Sequence, residues 1–408
     1  MHVAFFSPAW PLKQFNSGVV TYVHWMKYEL EQGGHQVSVF TGNLGRASDD
    51  DRVHQISPSL FSRVRARVRR VSADQRVFQA YVDIARAIRR IHRREPIDII
   101  EMEESFGWFA QVAELTSLPT VVKLHGPAFL STEDLRTPFG RERIAREGVA
   151  LRKAAALTAP CHFTLRHTLE RYDLKPGLCR KIVNPMTLPD EAPLWSLDSC
   201  NRNTILFVGR FDFCKGGDVV LKAFREVLER RPECRLIFAG PDVGLEDVAG
   251  RVIQFNAYRD AVFPVQLRRQ VDYRGPLPNN EVAKLRAKAL VTVVASRREN
   301  LGYTLLEAML QGCPIVSSDA GGCPEALDGG KVGLLARSED VQDFAAKLLS
   351  LLDEPAGAAT LGRAARFRAL ETYSAPKVVA ESLEFYREVI AKHQSSRDQR
   401  ASGTIAER

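Results

Sequence analysis

The sequence predicts an α/β protein of two doubly wound domains facing a cleft. Short apolar runs rich in β-branched residues alternate with longer stretches of helical period, the pattern of strand–helix–strand units and parallel sheets. The alternation occurs on both sides of a polar, proline-containing stretch, 188–203. At 408 residues the chain exceeds what one ordinary core fills, so two domains are the natural division.

In the first half, residues 3–7 read as a buried strand that runs into a long loop ending at Gly18. A helix follows to Gln32 and stops at Gly33-Gly34, and 36–40 is the next strand. The first strand–helix turn lacks G-x-G-x-x-G spacing, which argues against a dinucleotide dehydrogenase. Residues 57–94 are the most basic stretch: Leu60, Val64, Val68 and Val71 recur at helical spacing, with Arg63, Arg65, Arg67, Arg69 and Arg70 between them. Such a helix either rests on an anionic membrane or turns its apolar stripe to the core and leaves its arginines in water. A second helix, 73–94, carries the core-facing stripe Val77, Tyr81, Ile84, Ile88 and Ile91. Residues 97–102 are a strand with Glu101, Glu103 and Glu104 at its carboxyl end, where one of them could touch an acceptor, although a solvated loop is the plainer account of each. Another strand, 120–124, ends at His125-Gly126, which is a ligand-facing place in a parallel sheet or a structural hydrogen-bonding one. A helix over 141–156 and a strand with an Asn-Pro turn over 182–186 complete this half.

In the second half, 204–208 is a strand, and Gly209, Arg210, Lys215, Gly216 and Gly217 lie on the loop before the next helix. Two cations at a helix N-terminus make a diphosphate site; the plainer account is a surface loop with solvated cations. Residues 235–239 and 271–274 are further strands, the second ending in Arg274-Gly275. A helix over 280–289 leads into 290–294, an apolar run that reads as a buried parallel strand. Its loop carries Glu299, Asn300, Leu301 and Gly302; a helix starts near Tyr303 and stops at Gly312, and 315–318 is the next strand. Glu307 lies about one turn inside that helix, roughly 5–8 Å along its axis. Either Glu299 and Glu307 grip two parts of one elongated ligand, with the N–H groups of residues 300–303 at a helix start that suits anions, or Glu299 caps the helix and Glu307 faces water. Helices are expected over 339–352, 356–372 and 376–392, and 393–408 is polar and expected to be disordered.

The stretch from Glu299 to Glu325 resembles the signature of retaining, nucleotide-sugar-dependent glycosyltransferases of family 4. That signature runs Glu, seven residues, Glu, a short glycine–proline step into a strand, then Asp-x-Gly-Gly-x-Pro-Glu. Here Glu299, Glu307, Gly312, Pro314, Asp319, Gly321, Gly322, Pro324 and Glu325 fall in register. The resemblance implies the GT-B fold, two Rossmann-like domains: 1–188 on the acceptor side, a linker 189–203, and 204–375 binding the nucleotide sugar. A helix over 376–392 would cross back to the first domain. It implies hexosyl transfer from a nucleoside-diphosphate sugar to an acceptor hydroxyl, with retention and without a metal or other cofactor. In the family pattern Arg210 and Lys215 hold the diphosphate, Glu307 the ribose, Glu299 the sugar, and Gly18 lies beside the donor phosphates. His125 matches a position near the transferred sugar, and Arg274 belongs to the strand beside the base. Cys161 stands where serine is usual and reads as a packing residue. The loop after 239 is Ala-Gly-Pro-Asp where the family has Ala-Gly-Asp-Gly-Pro, a departure at the nucleoside.

The net charge of +8 sits in the first half. Residues 1–188 hold 27 basic and 19 acidic side chains, and 189–408 hold 30 of each. Such asymmetry points to an anionic partner such as a membrane surface or a phosphorylated lipid acceptor. No zinc-finger or RNA-recognition signature supports a nucleic-acid partner. The seven scattered cysteines form no C-x-x-C pair and indicate neither a disulfide framework nor a zinc site, so a reducing, cytoplasmic setting with possible membrane association is expected. The N-terminus reads as a strand start, and no apolar run approaches the roughly 18 residues of a membrane span. Surface polysaccharide or glycolipid assembly is the expected pathway. A sugar-nucleotide epimerase of the same fold, or a non-catalytic partner subunit of a glycosylation complex, is the alternative.

Overall fold

A computed structural model describes residues 1–15, 17–45, 50–57, 77, 79–131, 135–188, 191–247 and 250–406. The basic stretch from Leu60 to Arg70, expected above to be a helix that rests either on an anionic membrane or on the core, lies outside these residues. The chain forms two compact units, 1–185 with 375–408, and 186–374.

The first unit is built on a parallel sheet of strand order β3-β2-β1-β4-β5-β6-β7. Its strands are β1 (His2–Trp10), β2 (Gln36–Leu44), β3 (Val53–Gln55), β4 (Ile99–Glu103), β5 (Thr120–Lys123), β6 (Ala156–Ala159) and β7 (Leu178–Lys181). The described helices between them are α1 (Gly18–Gln32), α2 (Tyr81–His92), α3 (Trp108–Thr116), α4 (Pro138–Leu151) and α5 (His162–Tyr172). Helix α1 starts where Ser17 accepts the Val20 N–H, and it ends at Gly33, as the sequence predicts. Helix α4 stops five residues short of the expected 156, because Ala156 opens β6 and is fully buried in the sheet. The core joins Ala4, Phe40, Ile100, Val122 and Leu157 from the strands to Ile84, Ile88 and Val112 from the helices.

The second unit has a parallel sheet of order β12-β9-β8-β13-β14-β15 and a small antiparallel pair, β10 (Leu245–Glu246) with β11 (Val252–Ile253). Its strands are β8 (Asn201–Val208), β9 (Arg235–Ala239), β12 (Val271–Gly275), β13 (Ala289–Val294), β14 (Ile315–Ser318) and β15 (Leu334–Ala336). Its helices are α6 (Gly217–Arg230), α7 (Phe255–Val262), α8 (Asn279–Lys288), α9 (Tyr303–Gln311), α10 (Cys323–Ala326), α11 (Val341–Asp353) and α12 (Pro355–Tyr373). All six residues of β13 are buried, which explains its unbroken apolar sequence. Residue Trp195, in the stretch expected to be a linker, packs on this unit: its N–H donates to Gln311 O at 2.9 Å and its indole to Ala289 O at 2.7 Å.

The last helix, α13 (Ala375–Ala406), belongs to the first unit. Tyr386 donates to the buried Glu101 at 2.7 Å, and Arg180 pairs with Glu388 at 2.7 Å. The tail expected to be disordered from 393 continues this helix instead. The Ser395 and Ser396 hydroxyls donate back to Ala391 O and Lys392 O, so the polar residues satisfy themselves within the helix.

Candidate functional site

In the second unit, three loops follow the carboxyl ends of β8, β13 and β14. Glycines bring their backbones together. Gly216 has φ +68° and caps α6; a Cβ there would lie 2.0 Å from Ala295 O. Gly321 has φ +59°, and a Cβ would lie 1.5 Å from Glu299 O. Arg297 clamps the first two loops further. Its guanidinium donates to both Asp218 oxygens at 2.8 Å and to Phe213 O at 2.7 Å, lies over the Phe213 ring, and pairs with Glu339. Its own N–H donates to Cys214 O at 2.9 Å.

On this frame Lys215 Nζ meets Glu299 Oε2 at 2.7 Å, and Ser296 donates to the same oxygen at 3.1 Å. The negative charge of Glu299 holds the Lys215 ammonium above its ordinary range against the cost of burial. Arg210, half exposed, pairs with Asp212 at 2.7 Å, and Asp212 also accepts the Lys215 N–H at 2.8 Å. Both cations are therefore held on one short loop. Gly302 precedes α9 and offers no capping side chain. A Cβ there would lie 2.7 Å from the Glu299 carboxyl carbon, so glycine makes room for that carboxylate. Asn300 and the buried Leu301 complete the turn. Tyr303 opens α9; its hydroxyl is buried, has no hydrogen-bond partner among the described residues, and is held in its neutral form by burial and the charge of Glu307. Glu307 does not join Lys215 and Glu299 in one ion pair; it pairs with Arg286 at 2.8 Å. Arg274 pairs with Asp272 at 2.7 Å on β12.

Gly18 and His125 belong to the first unit, after β1 and β5. A Cβ at Gly18 would meet no atom within 4 Å, so packing does not require glycine there. The His125 ring lies edge-on to Tyr22 at 4.8 Å. Burial and the nearby Lys123 charge push it down to about 3, so the imidazole is neutral at neutral pH. Glu101 and Glu104, expected in a solvated loop, are buried at 3% and 1% exposure. Glu104 instead accepts the backbone N–H groups of His125 and Gly126 at 2.9 and 2.6 Å, which defines that turn. Glu103 is pushed up to about 7 by burial and by Glu104 beside it. Lys123 is pushed down to about 8 by burial, opposed by Glu101. Cys161 is fully buried against Thr164. No group of three or more metal-ligating side chains occurs among the described residues, and no described helix is long and apolar enough to cross a membrane.

Sequence reasoning missed Arg286, Arg297 and Asp218, and it named Glu104 without finding that it accepts the His125 and Gly126 N–H groups. Arg286 had a signal. It shares the buried stripe of α8 with Val282, Ala283 and Ala287, and a charge in an apolar stripe calls for a partner.

The model of the family described as glycosyl transferases group 1 matches residues 197–368, and that of a glycosyl transferase 4-like domain matches 17–182. The chain belongs to the group 1 glycosyltransferases. A D-inositol 3-phosphate glycosyltransferase of Paenarthrobacter aurescens is 27% identical across 92% of this chain and 93% of its own length. For two other curated relatives, at 32% and 34% identity, the match spans only about half of their length, 49% and 52%. Sucrose-phosphate synthase from Thermosynechococcus elongatus has a TM-score of 0.73 at 19% identity, over 96% of this chain and 99% of that one. HepE from Anabaena, solved with UDP and glucose, has a TM-score of 0.67 at 16% identity, over 95% of this chain and 100% of that one. These likenesses show the fold, which is GT-B, with two parallel-sheet α/β domains.

Proposed function

We propose that this group 1 glycosyltransferase moves a hexosyl group from a nucleoside-diphosphate sugar to an acceptor hydroxyl, with retention at the anomeric carbon. The observation that carries the reading is the charge arrangement at the β8 and β13 loops: Lys215 and Arg210 on one glycine-bounded loop, Glu299 against Lys215, and Glu307 on the helix that follows.

In this reading Lys215 and Arg210 take the diphosphate and stabilise the charge that develops as it leaves. Removing one such preorganised group typically costs about 3–4 kcal/mol. Lys215 then exchanges a carboxylate partner for a phosphate, which releases Glu299 to accept from sugar hydroxyls. The first N–H groups of α9, with Asn300, Leu301, Gly302 and Tyr303 around them, receive donor oxygens. Glu307 accepts from the ribose hydroxyls, and Arg274 marks the strand that reads the base. Gly18 and His125 are assigned to the donor by their place in the family pattern; a neutral His125 ring donates or accepts one hydrogen bond and holds no charge against the sugar. No protein carboxylate is assigned as a nucleophile, and attack on the same face is assisted by the leaving phosphate. The two cations supply the charge neutralisation, so turnover is expected to persist in a chelator. An acceptor in surface polysaccharide or glycolipid assembly is the family expectation, and the basic charge of the 57–94 stretch makes it the candidate for peripheral contact with an anionic membrane.

The test is thermal shift with UDP, GDP and ADP, on wild type and Glu307→Ala. One diphosphate should stabilise the wild type and lose most of its effect in the variant. Absence of a shift with all three would overturn the donor assignment.

A further inference from the structure

Glu307 is held from behind by a buried guanidinium. Arg286 is 2% exposed. Its Nη2 donates to Glu307 Oε2 at 2.8 Å, and its Nη1 donates to Gln311 Oε1 at 2.6 Å. The Gln311 amide nitrogen donates to Pro193 O at 2.8 Å and Ala283 O at 2.9 Å, so its oxygen can only turn toward Arg286. Glu307 and Gln311 are four apart on α9 and face the same side of the helix. The guanidinium therefore spans one helical turn of α9 from its seat in α8.

A buried charge persists only with a partner, and Glu307 is the carboxylate that pairs with Arg286 among the described residues. The pairing is one-sided. Oε2 takes the guanidinium, and no described residue donates to Oε1, while the Glu307 side chain keeps 25% exposure. A carboxylate fixed through one oxygen presents the other in a set direction. A ribose diol needs such an acceptor, because its hydroxyls are recognised by geometry rather than by charge.

We propose that Arg286, locked by Gln311, is the positioning residue that aims Glu307 at the ribose, and so sets preference for a ribonucleotide over its deoxy counterpart. This rests on the reading of Glu307 as the ribose-binding carboxylate. Arg286 touches no substrate in this scheme and acts only through Glu307.

The experiment is isothermal titration calorimetry on the 408-residue chain, with UDP and 2′,3′-dideoxy-UDP, or the matching pair of GDP or ADP if one of those gives the thermal shift. The wild type should prefer the ribonucleotide by about 10- to 100-fold, the worth of hydrogen bonds to a charged acceptor. Arg286→Met should lose most of that preference while the dideoxy compound binds nearly as before. Arg286→Met combined with Glu307→Ala should discriminate no worse than Glu307→Ala alone. Arg286→Lys should fall between wild type and Arg286→Met, since a lysine reaches one partner but cannot bridge two. A general loss of packing would weaken both nucleotides equally and leave the ratio unchanged, which overturns the proposal. If Glu307→Ala keeps the preference, the ribose assignment itself fails. If Glu307→Ala loses it and Arg286→Met retains it, only the positioning role fails. Should Arg286→Met not fold, Arg286→Lys decides, and a wild-type ratio there counts against the proposal.

Discussion

Lys215 and Glu299 neutralise one another at 2.7 Å, so neither charge is uncompensated before a ligand arrives. Lys215→Ala is expected to lower kcat by about 100- to 1000-fold, the scale for loss of one preorganised charge. Steady-state rates with the matching sugar nucleotide measure this, and near-normal turnover would exclude the cation role. Glu103 offers a test through stability. Its carboxyl holds a proton up to about 7 in the folded chain, against an ordinary value of 4.5. Between those values the folded state binds more protons than the unfolded one, so stability falls as pH rises. Glu103→Gln removes that slope, and the variant should gain on wild type between pH 5 and 8. Urea midpoints at the two pH values measure the gain; parallel midpoints would mean the carboxyl titrates normally.

At the scale of elements, strands were legible as short runs rich in apolar and β-branched residues, and helix ends as glycines. Residues 290–294 and 315–318 are strands for that reason, and Gly312, with φ +78°, stops α9 where its position predicted. Lys215 and Glu299 were legible as site candidates because register in a long motif brought them forward; their mutual contact was not. The buried charges were hidden because each finds its partner on another element. Arg286 lies 21 residues from Glu307, Glu104 lies 21 from His125, and Tyr386 lies 285 from Glu101. No local period links such pairs. Glu104 in particular reads as a loop carboxylate until the end of β5 is laid beside that of β4. The glycines are the weak points of this construction. Gly321→Ala would drive a methyl into the Glu299 carbonyl in a backbone region that side chains disfavour. It should cost about 2 kcal/mol or more and abolish the nucleotide-induced thermal shift, both measurable in one melting experiment; an unchanged melt would show that the loops can part.

For the molecule as a whole, the chain passes from the first unit to the second at residues 185–186 and back at 374–375. The second unit is therefore a single uninterrupted segment, while the first is assembled from both sides of it. The ends of that segment meet: the Met186 N–H donates to Tyr373 O at 2.8 Å, and Met186 bridges to Ser374. A segment whose ends are joined by its own hydrogen bonds needs no outside support to close its core. Expressed alone, residues 186–374 are expected to fold and to bind the nucleoside diphosphate, since Arg210, Lys215, Glu299, Arg286 and Glu307 all lie within it. A cooperative melt with a nucleotide shift would confirm this, and an unfolded fragment would refute it. The reciprocal consequence concerns the first unit, whose Glu101 is capped by Tyr386 from the far side of the chain. A ribosome delivers that tyrosine only after the whole of 186–374 has been made. The nucleotide-binding half is thus free to reach its native state during synthesis, whereas the other half lacks the Tyr386 hydrogen bond to Glu101 until the chain has been made through residue 386.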